Sequence, residues 1–527
     1  MSTPSPLAVF RCDASTAIGM GHVKRCLSLA QALRLLGAQS HFVTRQTDIA
    51  VGALISSAGF GCSTLPAIAV TSAHPDFHDE TAHAQWLGTT QAQDAEDTVA
   101  ALNGEDLPKP CWLVADHYGL AANWHGQMRA ALGCRVAAID DLADRPLDVD
   151  LLIDHNLHAD HQRKYASCIQ ALTRVLGGPR YALLAPSYAQ LRPARIKEFV
   201  GSIGIFMGGV DSADLSSLAL RACREAAGFQ GSVEIAATSA SPHLTSLRAL
   251  IDSSPDTRLS IDQPDLTEFF VRHDLQIGAG GGATWERCCA GAPMLLLKAA
   301  ENQATVLQEL SAQGAARCLN DSEVPTVASV GQAVAELLRD GPARKSLAER
   351  ARALVDGLGA QRVATAMTLD HLVLRPAKAD DAALSFGWRN DHSSRQHSRD
   401  AGEINPDHHR QWWKDSLVNP NRRIFFGCLG SRDVGVLRLD FSGSEAEVSI
   451  YLDPAMTGLG LGPRILLAAQ RWALEHTALE RLVATILPSN TASMRAFSSA
   501  GFVREENGWV WTVSASQTSG QPAFLGA

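Results

Sequence analysis

Between the apolar run Leu7–Phe10 and a helical stretch lies Arg11-Cys12-Asp13-Ala14-Ser15, followed by Ile18-Gly19-Met20-Gly21-His22. The two glycines let the backbone approach a ligand closely, and the start of a helix favours negative charge. The same partial positive charge disfavours an imidazolium, which suits His22 to taking a proton from water. The spacing alone also fits a tight strand-to-helix turn with a polar first-turn residue. Polar residues recur at later strand ends: Asp116-His117-Tyr118, Asp140-Asp141 and Asp154-His155-Asn156. Single carboxylates in such places also serve as turn or cap residues.

Two further segments suit phosphate. Phe206-Met207-Gly208-Gly209-Val210-Asp211 and Gly278-Ala279-Gly280-Gly281-Gly282-Ala283-Thr284 each follow a strand and precede a helix. Such loops offer unpaired N–H groups to a pyrophosphate, and neither carries a Walker lysine or a metal-binding pair of carboxylates. A third, Asp453-Pro454-Ala455-Met456-Thr457-Gly458-Leu459-Gly460-Leu461-Gly462, lies between the strand Val448–Leu452 and a helix expected over Arg464–Glu475.

The elements that must position these residues alternate along the chain. Short apolar runs at Leu7–Phe10, His41–Thr44, Trp112–Ala115, Val136–Ile139 and Leu151–Ile153 are separated by helical segments, which indicates a parallel sheet wrapped by helices. In the clearest helix, Val23 to Leu36, the residues Val23, Cys26, Leu27, Ala30, Leu33 and Leu36 share one face before Gly37 closes it. A second series has strands at Ile203–Met207, Val233–Ala237, Leu275–Gly278 and Met294–Leu297, with a hinge expected between Leu184 and Pro193. Two doubly wound halves place a ligand cleft between them, beyond the carboxyl ends of their strands. From about His371 the pattern becomes that of an antiparallel sheet, with strands at His371–Arg375, Arg423–Leu429, Val434–Phe441 and Ala446–Leu452. The expected domains are 1–190, 191–370 and 371–515, with a Ser-, Gln- and Gly-rich tail at 516–527 expected to be disordered.

Composition bounds the function. In 527 residues, 46% are hydrophobic and 19% charged, an ordinary globular balance. The net charge of −9 and the scattered basic residues give no footprint for nucleic acid. No signal-type or membrane-spanning apolar segment is read, so a soluble, cytoplasmic protein without a membrane partner is expected. The eleven cysteines lack a C-x-x-C pair and read as reduced thiols, and no metal site is expected. Oligomeric state is left open.

The run Gly280-Gly281-Gly282-Ala283-Thr284-Trp285-Glu286, then Gly291-Ala292-Pro293 and Glu301-Asn302-Gln303, resembles the UDP-binding half of GT-B glycosyltransferases. With Arg11-x-Asp13-Ala14-Ser15, Ile18-Gly19-x-Gly21-His22, Asp116-x-Tyr118-Gly119, Ile139-Asp140-Asp141-Leu142-Ala143-Asp144-Arg145 and Gly178-Pro179-x-Tyr181-Ala182-Leu183-Leu184, residues 7 to 370 resemble the UDP-sugar hydrolases of pseudaminic acid biosynthesis. That family cleaves UDP-2,4-diacetamido-2,4,6-trideoxy-β-L-altropyranose. The resemblance implies that His22 is the general base for an inverting attack by water and that Glu286 holds the ribose. It implies substrate binding by Asp13, Gly19, Gly21, Tyr118, Gly209, Gly281, Gly282, Thr284, Asn302 and Gln303. Cys12 and His117 stand where the family commonly has alanine and serine.

The Asp453–Gly462 loop, with Leu487-Pro488-Ser489-Asn490 through Gly501-Phe502, Trp388-Arg389-Asn390-Asp391 and His409-x-x-Trp412-Trp413, resembles the GNAT acetyltransferase superfamily. The resemblance implies acetyl-CoA as co-substrate, bound by the backbones of Ile450 and Leu452 and by Gly458, Gly460, Gly462 and Asn490. Thr457 replaces the usual Arg or Gln, and Phe497 stands where many members have a proton-donating tyrosine. Tyr451, a serine such as Ser493, or water then supplies that proton, or none is needed. The fold class implied is a GT-B-like pair of Rossmann-like domains followed by a GNAT α/β domain. The implied function is bifunctional: acetyl-CoA-dependent N-acetylation of the 4-amino group of a UDP-amino sugar, then hydrolysis to UDP and 2,4-diacetamido-2,4,6-trideoxy-L-altrose. A GT-B glycosyltransferase, or a silent UDP-sugar-binding module fused to a protein N-acetyltransferase, is the alternative.

Overall fold

The computed structural model describes residues 6–67, 81–192, 195–319, 324–368, 372–398, 401–430, 432–506 and 508–513. One compact unit holds 6–34 and 39–363, and another begins at Ala364. The expected tail at 516–527 and the expected seam at His371 lie outside the described residues.

The first unit has two parallel sheets. In the first, β1 (Leu7–Cys12), β2 (Gln39–Arg45), β3 (Gly61–Leu65), β4 (Pro110–Asp116), β5 (Arg135–Ile139), β6 (Leu151–Asp154) and β7 (Arg174–Gly177) run in the order β3-β2-β1-β4-β5-β6-β7. Every residue of β1 is buried, as a central strand covered on both faces requires. The second sheet contains β8 (Ser202–Phe206), β9 (Ser232–Ala237), β10 (Thr257–Ile261), β11 (Leu275–Ala279), β12 (Met294–Leu297) and β13 (Arg317–Cys318), in the order β10-β9-β8-β11-β12-β13. The strand order reverses between β1 and β4, and again between β8 and β11, and ligands of doubly wound sheets bind at such points.

The first helix spans Gly21–Leu35, starting two residues before the expected Val23, so His22 lies in its first turn. Gly37 follows at φ +77°, a conformation that favours glycine. The segment expected as a hinge is docked instead. It carries the short helix Pro186–Ala189, whose Tyr188 is buried with Leu157, Phe270, Trp285 and Leu307 in one core.

The second unit holds β14 (Leu372–Pro376), β15 (Arg422–Leu429), β16 (Arg432–Ser442), β17 (Glu445–Leu452), β18 (Arg481–Ala484), β19 (Val503–Glu505) and β20 (Gly508–Thr512), ordered β14-β15-β16-β17-β18-β20-β19. Pairing is antiparallel except between β17 and β18. Trp388, Trp413, Phe426 and Val436 pack together on one face.

Candidate functional sites

His22 follows β1 and Asp116 ends β4, so the first reversal point brings them together. His22 Nδ1 lies 2.6 Å from Asp116 Oδ1, and Arg25 grips the same carboxylate through Nε at 2.6 Å and Nη2 at 2.5 Å. Burial alone would raise the Asp116 pKa, but Arg25 and His22 outweigh it and hold the group well below the carboxylate range. An ionised carboxylate only accepts, so Nδ1 carries the proton and Nε2 is the basic nitrogen. Two neighbouring histidines are neutral at pH 7: burial pushes His117 and His155 each down to about 4. The Tyr118 ring meets His22 edge-on at 4.8 Å between centroids, and its hydroxyl donates to Asp141 at 2.5 Å.

Asp13 is buried, accepting from Arg11 Nη1 at 2.6 Å and from the Arg45 backbone N–H at 2.7 Å. It also lines a cavity of about 350 Å³ with Arg45, Thr47 and Trp86. Asp94, in the helix Gln91–Asn103, accepts from Arg11, Arg45 and Trp124. Burial opposes its ionisation, yet Arg11 and Arg45 bring its pKa to about 2. This support was not read from sequence, because Arg11 and Asp94 lie 83 positions apart and no local spacing joins them. Arg25 and the orienting role of Asp116 were missed for the same reason.

The two glycine loops of the second sheet differ. Behind Gly208 and Gly209, Asp211 accepts from the backbone N–H groups of Leu215 at 2.9 Å and Ser216 at 3.0 Å, so a carboxylate already satisfies that helix start. The helix Ala283–Ala290, after Gly281 and Gly282, has no side-chain cap; the Thr284 and Trp285 N–H groups donate to the Gly281 and Gly282 carbonyls at 2.9 and 3.2 Å, which leaves the N–H groups of Gly281, Gly282 and Ala283 to a ligand. Thr284 is turned inward: its hydroxyl donates to the Ala279 carbonyl at 3.3 Å. Glu286 is half-buried, and burial, opposed by Lys24 and Arg287, pushes its carboxyl up to about 6. Gln303 Oε1 accepts from the Ala299 N–H at 3.0 Å beside Gly281, whereas Asn302 is exposed.

A hydrogen-bonded chain joins the halves. Trp285 Nε1 donates to Asn156 Oδ1 at 3.2 Å, Asn156 Nδ2 donates to Asp141 Oδ2 at 2.9 Å, and Tyr118 donates to the same carboxylate. It runs from the uncapped helix to the ring against His22.

In the second unit β17 pairs with β18 only through Glu445, Ala446 and Glu447, and beyond them Val448 to Leu452 has no ladder partner on that side among the described residues. Ile450 and Leu452 thus present free backbone groups. Gly458 at φ +77° and Gly460 at φ +81° lead into the helix Leu461–His476, which has no side-chain cap, and a Cβ on either glycine would meet nothing within 4 Å. Backbone N–H groups there can hold a pyrophosphate. Gly462 lies inside the helix, where a Cβ would come within 3.4 Å of Ala496. Asn490 caps the helix Thr491–Ser499, its Oδ1 accepting from the Ser493 N–H at 3.0 Å. Phe497 is buried, edge-on to Phe502 at 4.9 Å. The described residues contain no cluster of three or more His, Cys, Asp or Glu arranged to hold a metal ion. Among them, no helix is long and apolar enough to cross a membrane.

The family described as acetyltransferase (GNAT) domain matches residues 371–503. The spore coat polysaccharide biosynthesis protein SpsG of Bacillus subtilis is 24% identical over 66% of this chain and 93% of its own length. The UDP-2,4-diacetamido-2,4,6-trideoxy-β-L-altropyranose hydrolase of Campylobacter jejuni is 24% identical over 49% of this chain and 80% of its own. Among solved structures, Acinetobacter baumannii MurG aligns with 69% of this chain and 99% of its own, at 15% identity and a TM-score of 0.46. The chain therefore joins an amino-terminal region homologous to SpsG and to that hydrolase with a carboxy-terminal domain of the GNAT acetyltransferase family.

Proposed function

We propose that the chain is a bifunctional nucleotide-sugar enzyme that first N-acetylates the 4-amino group of a UDP-linked amino sugar and then hydrolyses the product to UDP and the free diacetamido sugar. The observation that carries the reading is His22, held by Asp116 at one reversal point and packed edge-on against Tyr118, whose hydrogen-bonded chain runs to an uncapped, glycine-led helix at the other. The first position suits activation of water and the second suits a departing nucleoside diphosphate. The homology to the Campylobacter hydrolase supports that substrate class.

In the hydrolytic step His22 Nε2 takes a proton as the water oxygen bonds to the anomeric carbon, and the bond from that carbon to the phosphate oxygen breaks. Asp116 stabilises the imidazolium. The electron pair leaves on UDP, whose charge is met by the N–H groups of Gly281, Gly282 and Ala283, donors fixed in place before reaction. A diphosphate leaves without needing a proton. Glu286 would hold the ribose hydroxyls, its carboxylate bridging both. In the acetyl transfer, acetyl-CoA supplies an activated thioester. The splayed β17 and the Gly458–Gly460 loop fit its pantetheine and pyrophosphate, and the GNAT match supports its use.

Incubation of the full chain with acetyl-CoA and the UDP-4-amino sugar, followed by NMR, tests the reading. Sequential appearance of the acetamido nucleotide, UDP and free sugar is expected without any sugar acceptor. Acetylation with no release of UDP would leave the first unit as a binding module, and release that requires an acceptor alcohol would make it a glycosyltransferase.

A further inference from the structure

We propose that Tyr451, Ser385 and His409 form a proton relay that receives the proton of the attacking amine in the acetyl transfer. The proposal rests on the acetyltransferase reading above and adds to it the residues that move this proton. Tyr451 stands on the part of β17 that has left β18, between Ile450 and Leu452. Ile450 points the other way, its Cδ1 3.7 Å from the place of a Cβ on Gly462. Alternation along the strand sends Tyr451 to the opposite face. There its hydroxyl lies 2.8 Å from Ser385 Oγ, which lies 3.4 Å from His409 Nε2. Ser385 belongs to the helix Ala382–Asn390 and His409 to the helix Pro406–Val418, and both are buried.

One observation bears on the group beyond its packing. His409 Nδ1 is buried with no hydrogen-bond partner, so the ring's one polar contact among the described residues is with Ser385. The charges facing the relay are cationic and, with burial, keep His409 uncharged at rest. Arg389 faces both His409 and Tyr451, and Arg438 of β16 faces Tyr451. Burial first and Arg389 second lower the His409 pKa, leaving a neutral imidazole at pH 7. Burial raises Tyr451 to about 12, so it is a neutral phenol able to pass a proton on. Phe386, Trp412 and Trp413 surround His409 with rings and bring no further charge.

As the amine nitrogen attacks the thioester carbonyl, a C–N bond forms, the C–S bond breaks, and the electron pair leaves on sulfur. One N–H proton passes to the Tyr451 oxygen, the Tyr451 proton moves to Ser385, and the Ser385 proton moves to His409 Nε2. The imidazolium then returns its proton to solvent, and water protonates the thiolate. Because the amine must itself be neutral to attack, kcat/KM falls roughly tenfold per pH unit below the amine pKa. Once His409 is protonated the relay is closed, and the fall steepens to roughly a hundredfold per unit.

The test uses the full chain with acetyl-CoA and the UDP-4-amino sugar from about pH 5 to 9, comparing wild type with Ser385→Ala, His409→Asn and Tyr451→Phe. Circular dichroism and calorimetric binding of acetyl-CoA verify the fold of each. The expected result is a loss of roughly a hundredfold in kcat/KM at pH 7 with the steep low-pH segment gone, leaving the single slope of the amine. If His409→Asn fails to fold, Ser385→Ala decides, since it removes one oxygen atom. Folded variants that keep the double slope overturn the relay alone. A wild type that transfers no acetyl group to the amine overturns the acetyltransferase reading itself.

Discussion

Because Asp116 is ionised and accepts from His22 Nδ1, the proposed base depends on a pair rather than on one residue. His22→Asn should lower the rate of UDP release by about 100- to 10,000-fold with UDP affinity and acetyl transfer unchanged, as coupled UDP and CoA assays can read. Undiminished release by the folded variant removes His22 from the role. A second prediction follows from Glu286, which is a carboxylate only above about pH 6. Affinity for a UDP-hexose, whose own pyrophosphate does not titrate there, should fall about tenfold to a hundredfold as pH drops through that value. Glu286→Gln should flatten the profile in calorimetric titrations. The apo protein has the opposite sign: a raised carboxyl pKa contributes stability at low pH that is lost as pH rises through about 6. His22 was legible in the sequence because its glycine turn is local. Asp116 was visible only as one of several strand-end carboxylates, since its partner lies 94 positions away.

At the scale of elements, the interior strands of the first unit were readable and its sheet edges were not. β1, β4 and β12 are near-continuous apolar runs because helices cover both faces. In the first unit the four strands not anticipated, β3, β7, β10 and β13, all lie at sheet edges, whereas in the second unit the short β18, β19 and β20 were also not anticipated and β18 and β20 are interior. The half-exposed sequences of the four edge strands of the first unit, such as Thr257–Ile261, carry no such run. The two glycine loops looked equivalent for a similar reason, as only the fold shows Asp211 already satisfying one helix start. Gly278 gives a prediction at this scale. A Cβ there would meet Arg287 Nη1 at 2.7 Å, and that buried guanidinium ties β8 to β11 through the Phe206 and Ala279 carbonyls. Gly278→Ala should cost more than about 3 kcal/mol in urea unfolding. Gly19→Ala, with no contact within 4 Å but φ +77°, should cost only ~1–2 kcal/mol.

For the whole molecule, the change from alternating to antiparallel patterning announced two kinds of architecture, and each compact unit has its own core. A fragment ending near Asp370 should therefore release UDP from the diacetamido nucleotide. It should act at least about tenfold less well on the 4-amino precursor, because a pocket shaped for an acetamide would have to desolvate an unpaired ammonium. Steady-state rates on both substrates measure this, and equal turnover would show that acetylation does not gate hydrolysis. The parting of β17 from β18 has a consequence of another kind. Residues 448–452 are, on one side, an open strand edge in the interior of the sheet, and open edges are templates on which other chains can add and aggregate. A ligand whose amide groups bond along that edge acts as a substitute strand. Acetyl-CoA at a hundredfold excess over its Kd would then stabilise the domain by about 2.7 kcal/mol through mass action. Cellular supply of the co-substrate would in this way govern how long the domain stays folded and monodisperse, as well as how fast it turns over.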